Sequence, residues 1–193
     1  MHIHRGATMS LLTQHTPATA PEASRAHVER ALANNGFLPN LVAVLANSPA
    51  AIEAYYTVGA LNGHTSLTLA ERETVQITAA AVHGCGFCVA GHTAVVTKAR
   101  LDADVVAALR ALAPVPDIRL EAVARFTRAV IAQRGAVGAD ALRAFLDAGF
   151  TEAAALDVVL GVSLATLCNF ANNLAGTSLN PELAAYAWTP AVA

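Results

Sequence analysis

E-T-V-Q-I-T-A-A-A-V-H-G-C-G-F-C-V-A-G-H, residues 73–92, decides how the chain is read. Cys85 and Cys88 form a C-x-x-C pair, His92 follows Cys88 by four residues, and Glu73 precedes Cys85 by twelve. No further charge appears until Lys98. A small-residue run rich in alanine reads as a buried helix, and Gly84 breaks it. A second helix is expected to start around Cys85 and continue through Ala99. Two helices meeting at Gly84 form a hairpin, and a rise of about 1.5 Å per residue sets the levels on its arms. Cys88 then lies near the bend, His92 one turn below it, and Glu73 on the facing arm behind His92.

Working outward, Thr68-Leu69-Ala70-Glu71 is a capping box in which Glu71 reaches back to the Thr68 backbone. That gives Glu71 a structural role and leaves Glu73 for chemistry. Upstream, Val28, Ala31 and Leu32 mark a helix after Pro21. Asn40 to Asn47 is a short apolar helix, and Ser48-Pro49 is the N-cap and first residue of the next. Downstream, helices are expected from Asp102 to Ala113, Arg119 to Arg134 and Ala139 to Asp147. A long apolar pair follows Thr151, and a terminal helix runs from Pro181 through Trp188. No segment reads as a strand. The expected fold is all-α, a helical bundle in one domain over residues 21–193, preceded by a loose polar arm over 1–20. A faint repeat at an offset of 83 places Thr68, Ala70, Val75, Cys85 and Phe87 on Thr151, Ala153, Val158, Cys168 and Phe170. It suggests two similar helical hairpins, with Leu156, Ala171 and Ala175 in place of Glu73, Cys88 and His92 in the second.

Composition narrows the function classes. The chain has 193 residues, is 55% hydrophobic and 13% charged, and has a mean hydropathy of +0.47. So little charge implies an apolar face covered by another copy. A net charge of -2 without a Lys/Arg run argues against a nucleic-acid partner or an anionic membrane surface. The charge-free stretches 74–97 and 158–181 are interrupted by polar residues, among them Gln76, His83, His92, Asn169, Asn172 and Asn173, which suits buried helices rather than membrane spans. Three cysteines do not make a secreted disulfide framework, and the start lacks the apolar core of a signal peptide. A reducing cytoplasm is expected.

The chemistry expected of the pair is thiol redox. Within a helix, side chains at i and i+3 have Cβ atoms about 5–6 Å apart, beyond the roughly 3.5–4.5 Å of a disulfide. Cys85 must therefore sit at or before the first turn, which Gly84 and Gly86 permit. A helix N-terminus contributes only about 0.3–1 kcal/mol to a thiolate, less than one pKa unit, so another base is required. His92, one turn from Cys88 and oriented by Glu73, supplies it. On this reading Cys88 is the activated thiol that ionises first, and Cys85 is the resolving partner. Alternatives are a buried apolar cluster and a zinc site from His83, Cys85, Cys88 and His92. Structural zinc usually joins two separated ligand pairs, whereas these four crowd one bend. His83 reads as a helix-end residue, Cys168 as a core residue, and Asn169, Asn172 and Asn173 as cavity-lining or capping groups.

E-R-E at 71–73, the twelve-residue step to C-x-x-C, the histidine four later, and P-N-L-V-A-V-L-A-N-S-P at 39–49 resemble the alkylhydroperoxidase D-like (AhpD-like) branch of the carboxymuconolactone decarboxylase family. The resemblance spans roughly residues 35–190. It implies an AhpD-like helical fold, homo-oligomers (trimers or hexamers), and thiol-dependent reduction of a hydroperoxide substrate with electrons from a dithiol or protein reductant. Glu73, Cys85, Cys88 and His92 carry over as catalytic residues, with no cofactor and no metal. Phe87 departs from the pattern: the best-known alkylhydroperoxidase has a histidine there, so one polar group is lost. Two other functions fit the family or the composition. One is lactone decarboxylation, which does not rest on a cysteine pair; the other is a redox-responsive oligomeric module without turnover.

Overall fold

The computed structural model describes residues 10–190, and among these every regular element is helical. In order they are α1 (Glu22–Asn35), α2 (Asn40–Leu45), α3 (Pro49–Gly63), α4 (Leu69–Val82), α5 (Gly86–Lys98), α6 (Ala103–Ala111), α7 (Ile118–Ala132), α8 (Gly138–Asp147) and α9 (Glu152–Ala175). A short 3-10 helix (Pro181–Tyr186) follows. The caps lie where the sequence puts them. Ser48 Oγ accepts from the Ala51 N–H, Asp102 from Asp104 and Val105, and Thr151 from Ala154. The Thr68–Glu71 capping box closes in both directions.

The bundle is organised around α4, which packs against α5, α6, α7 and α9. Its residues reach three apolar clusters at once. Val75 joins Val123, Phe126, Phe145, Phe150 and Val158; Ile77 joins Val96, Leu109 and Leu120; Ala80 and Ala81 join the cluster that holds Cys85, Cys88 and Cys168. A helix buried on nearly every side must be narrow, and Ala79, Ala80 and Ala81 make it so. Gly161 on α9 lets the two helices close up, since a Cβ there would stand 3.0 Å from Val75 Cγ1. In the second cluster, Phe145 stacks between Phe126 and Phe150 with ring centres 4.4 and 4.3 Å apart.

Two expectations change. The second charge-free stretch is no hairpin: α9 runs unbroken from Glu152 to Ala175. In the first stretch the chain turns at Gly84, whose φ of +67° is a left-handed conformation that side-chain-bearing residues resist. The matching position 83 residues later is Leu167, which continues the helix. By length and composition alone α9 is apolar enough to cross a membrane, but here it packs on α2, α3, α4 and α7. The arm over 1–20 also differs over its described part. The Leu11 N–H donates to the Ala175 carbonyl at 2.7 Å, the His15 N–H donates to the Ala43 carbonyl at 3.0 Å, and Ala20 is buried. Paired backbone groups hold residues 10–20 on the bundle despite their lack of periodicity; residues 1–9 lie outside the described part.

Candidate active site at the α4–α5 bend

The bend is clamped by α9. The Asn173 amide donates to the His83 carbonyl at 2.9 Å, capping the exposed end of α4, and Asn169 Oδ1 pairs with His83 Nδ1 at 3.0 Å. His83 is thus turned toward α9, and no cluster of three potential metal ligands forms among the described residues. Cys85 is the N-cap of α5, in extended backbone. Gly86 follows because the C-terminal strap crosses there: a Cβ on it would lie 2.8 Å from the Trp188 carbonyl oxygen. Arg110 ties that strap down through the Tyr186 and Ala187 carbonyls, and the Trp188 indole N–H returns a bond to the Arg110 carbonyl.

Cys85, Cys88 and Cys168 are all buried and unpaired. Cys88, together with His92, Gly91 and Tyr55, lines a cavity of about 880 Å³ between α5, α1 and α3. Cys85 lines a different, smaller space of about 530 Å³, with Asn172, Asn173 and Trp188 around it. The hairpin puts Glu73 where the helical levels require: its Oε2 lies 2.7 Å from His92 Nδ1, and its side chain is 12% exposed. No hydrogen bond joins His92 to Cys88 among the described residues. The partner of the Cys88 sulfur is Asn172, whose Nδ2 donates at 3.2 Å from across the bundle. The other atom of that amide, Asn172 Oδ1, is buried and has no partner among the described residues.

The ionisation order differs from the sequence expectation. The Cys88 thiol donates to the Cys85 sulfur, which outweighs the cost of burial. The backbone N–H groups of Cys88 and Phe87 and the Asn172 amide add to this, and the Cys85 thiol is brought down to about 7. Cys88 is pushed well above its ordinary value, first by holding its proton toward Cys85 and then by burial. The first proton lost by the pair therefore leaves charge on Cys85. The reason is positional: Cys85, as N-cap, sits over the free N–H groups of α5, while Cys88 is already inside the helix. His92 is lowered by burial, but the charge and hydrogen bond of Glu73 prevail and its pKa is raised. Cys168, with no donors, is pushed up to about 12 by burial, which suits a core residue. From the sequence Asn172 reads only as a cavity-lining or capping group; an asparagine inside a charge-free helix does not indicate which group it serves.

Comparisons with known proteins bear on the family and the fold. Residues 46–130 match the sequence model of the carboxymuconolactone decarboxylase family, a segment that includes Glu73, both site cysteines and His92. The search of curated proteins returned no match. Among solved structures, the chain is similar to the alkylhydroperoxidase AhpD core of an uncharacterized peroxidase-related protein from Ralstonia eutropha JMP134. The TM-score is 0.80 at 25% identity, over 91% of this chain and 94% of that one. An uncharacterized peroxidase-related protein from Silicibacter sp. TM1040 is similar in fold, with a TM-score of 0.78 at 16% identity, over 94% of this chain and 97% of that one. Residues 46–130 thus resemble the carboxymuconolactone decarboxylase family, and the chain shares its all-α fold with the AhpD core.

Proposed function

We propose that the protein is a thiol-dependent peroxidase that reduces organic hydroperoxides through Cys88 and Cys85, assisted by His92 and Glu73. The observation that carries this reading is the 2.7 Å Glu73–His92 pair, with His92 and Cys88 on the wall of one cavity. The peroxidase-related names of the two similar structures support it.

The resting site holds a Cys85 thiolate, a Cys88 thiol and a His92 imidazolium against Glu73. When a hydroperoxide enters the cavity, the Cys88 proton passes to Cys85, and the Cys88 sulfur attacks the terminal peroxide oxygen. The O–O bond breaks, His92 gives its proton to the departing alkoxide, and an alcohol leaves; Cys88 becomes a sulfenic acid. Cys85 then attacks the Cys88 sulfur, and its proton leaves with the hydroxyl as water, forming the Cys85–Cys88 disulfide. A dithiol reductant restores both thiols by exchange and is itself oxidised to a disulfide, and His92 regains a proton from solvent. The net conversion is hydroperoxide plus dithiol to alcohol, water and disulfide. Asn172 donates to the Cys88 sulfur while that sulfur carries charge, both during attack and when it leaves in exchange.

The test is peroxide-dependent oxidation of dithiothreitol by the protein with cumene hydroperoxide. Turnover is expected, with peptide mapping placing the bridge between Cys85 and Cys88. A site that consumes no hydroperoxide, or a bridge on Cys168, overturns the reading. The same reading includes self-association. Leu156, Val159, Phe170 and Leu174 stand exposed along one side of α9, a face for neighbouring copies to cover in the trimer or hexamer that the resemblance implies. Light scattering that gives a strictly monomeric mass removes this part alone.

A further inference from the structure

The cavity beside Cys88 has a direction. Cys88, His92, Val95 and Lys98 all line it, and their spacings of four, three and three residues put them on one face of α5. At a rise of about 1.5 Å per residue, the Lys98 backbone lies roughly 15 Å from that of Cys88 along the cavity. Beyond His92, the surface leading to the ammonium is mainly apolar, with Val95 and Ala94 on α5 and Tyr55 and Gly59 opposite. Besides His92, which is paired with Glu73 next to the thiol, the lining contains two cations, Arg30 and Lys98, and among the described residues no aspartate or glutamate. Arg30 is already engaged, lying 4.1 Å over the Tyr56 ring with its Nη2 3.1 Å from His27 Nδ1. Lys98 has no carboxylate partner among the described residues.

A reactive sulfur at one end, an unmatched cation at the other and a mainly apolar wall between them describe a particular shape of substrate. We propose that the cavity takes amphipathic hydroperoxides: an acyl chain bearing the hydroperoxy group along its length and a carboxylate at its end, with the carboxylate set against Lys98. The product is the corresponding hydroxy acid. This rests on the peroxidase reading and extends it, because a site built only for small alkyl hydroperoxides needs neither the length of the cavity nor a cation at its far end.

The experiment compares linoleic acid hydroperoxide with its methyl ester, in kcat/KM at low ionic strength, for the wild-type protein and for Lys98→Met. The free acid is expected to be preferred by about tenfold, with the ratio falling toward one in Lys98→Met and at high salt. An ester handled as well as the acid, or a ratio unmoved by Lys98→Met, overturns the proposal. A second readout needs no turnover: protection of the thiols from iodoacetamide by the unreactive hydroxy acid and by its methyl ester. Protection by the acid alone, lost in Lys98→Met, supports the assignment even if no hydroperoxide is reduced, in which case the peroxidase reading fails and the binding site stands. Equal protection by both compounds overturns it.

Discussion

The two sides of the thiol pair are built differently although Cys85 and Cys88 are near neighbours in the chain. The Cys88 side opens into a long apolar cavity and has the Glu73–His92 pair beside it. The Cys85 side is smaller, walled by Asn172 and Asn173 and roofed by Trp188. Charge follows the opposite assignment. Cys85 sits over the open N–H groups at the start of α5 and ionises at about 7, while Cys88 keeps its proton. Stored charge and substrate access thus fall on different sulfurs. On the proposed mechanism, the strap covers the thiolate until a substrate draws the proton across from Cys88. The arrangement also explains why the C-x-x-C must straddle a helix start: with both cysteines inside α5, neither would have the N-cap donors.

The sharpest way to break this comparison is to remove one sulfur at a time. Cys85→Ser and Cys88→Ser are each expected to reduce dithiol-coupled turnover to background, yet to differ in a single exposure to cumene hydroperoxide. Cys85→Ser retains Cys88 on the cavity and should consume one equivalent, leaving a sulfenic acid that dimedone traps. Cys88→Ser should consume almost none. A sulfenic acid trapped on Cys85 in Cys88→Ser protein would reverse the roles of the two sides.

Smaller losses separate the assisting groups. Glu73→Gln removes the charge that raises His92 and is expected to lower kcat/KM by about a hundredfold, the lower range for general acid–base assistance. The pH profile gives the sign. Activity rises with pH as the Cys85 thiolate forms near 7 and falls again as His92 loses its proton above its raised pKa. In Glu73→Gln that upper limb moves to lower pH, since burial still lowers His92 and only the smaller effect of the Cys85 charge remains to oppose it. Asn172→Ala deletes one donor to a sulfur that becomes charged; such bonds contribute about 1.5–3 kcal/mol, so a loss of roughly tenfold or more is expected. The upper limb should stay in place. A shift of that limb in Asn172→Ala would mean that the amide acts through His92, not through Cys88.

These assignments were unequally legible in the sequence. Glu73, His92 and the pair could be placed because all lie on one hairpin, where helical rise and a single glycine fix their relative levels. Asn172 comes from a helix 84 residues away from Cys88, and no local periodicity reports which atom of another helix a buried amide will meet. The order of ionisation was misjudged for a related reason. Helical spacing reports only how near each thiol lies to His92, whereas the larger effects are the hydrogen bond between the thiols and the backbone donors over the N-cap. The failed repeat carries a similar lesson. Matching apolar residues at a fixed offset reflects shared helical composition, but the turn depends on one residue, glycine at position 84 and leucine at 167. The caps at Ser48, Thr68, Asp102 and Thr151 were readable because a cap is a contact within four residues.

The smallest expected effect concerns the roof over Cys85. Gly86→Ala places a methyl group where the Trp188 carbonyl oxygen now approaches, at 2.8 Å from the new Cβ, and backbone cannot yield as a side-chain tip does. The first turn of α5 is held between Ala80, through the Cys85 N–H, and the α9 asparagines, so the strap is the part free to shift. Its movement costs the Trp188 indole bond to Arg110, about 1 kcal/mol, partly offset by the better helix propensity of alanine over glycine. The melting temperature should therefore change by only a few degrees. The informative readout is alkylation of Cys85 near pH 7, followed by peptide mapping. Its rate relative to Cys88 should rise a few-fold, by analogy with local opening of a small covering segment. Trp188→Ala removes the same roof without touching α5 and should change the ratio in the same direction. If neither variant alters it, the strap does not gate Cys85, and the protection of the thiolate must come from the packing of Cys85 against Ala80 and α9.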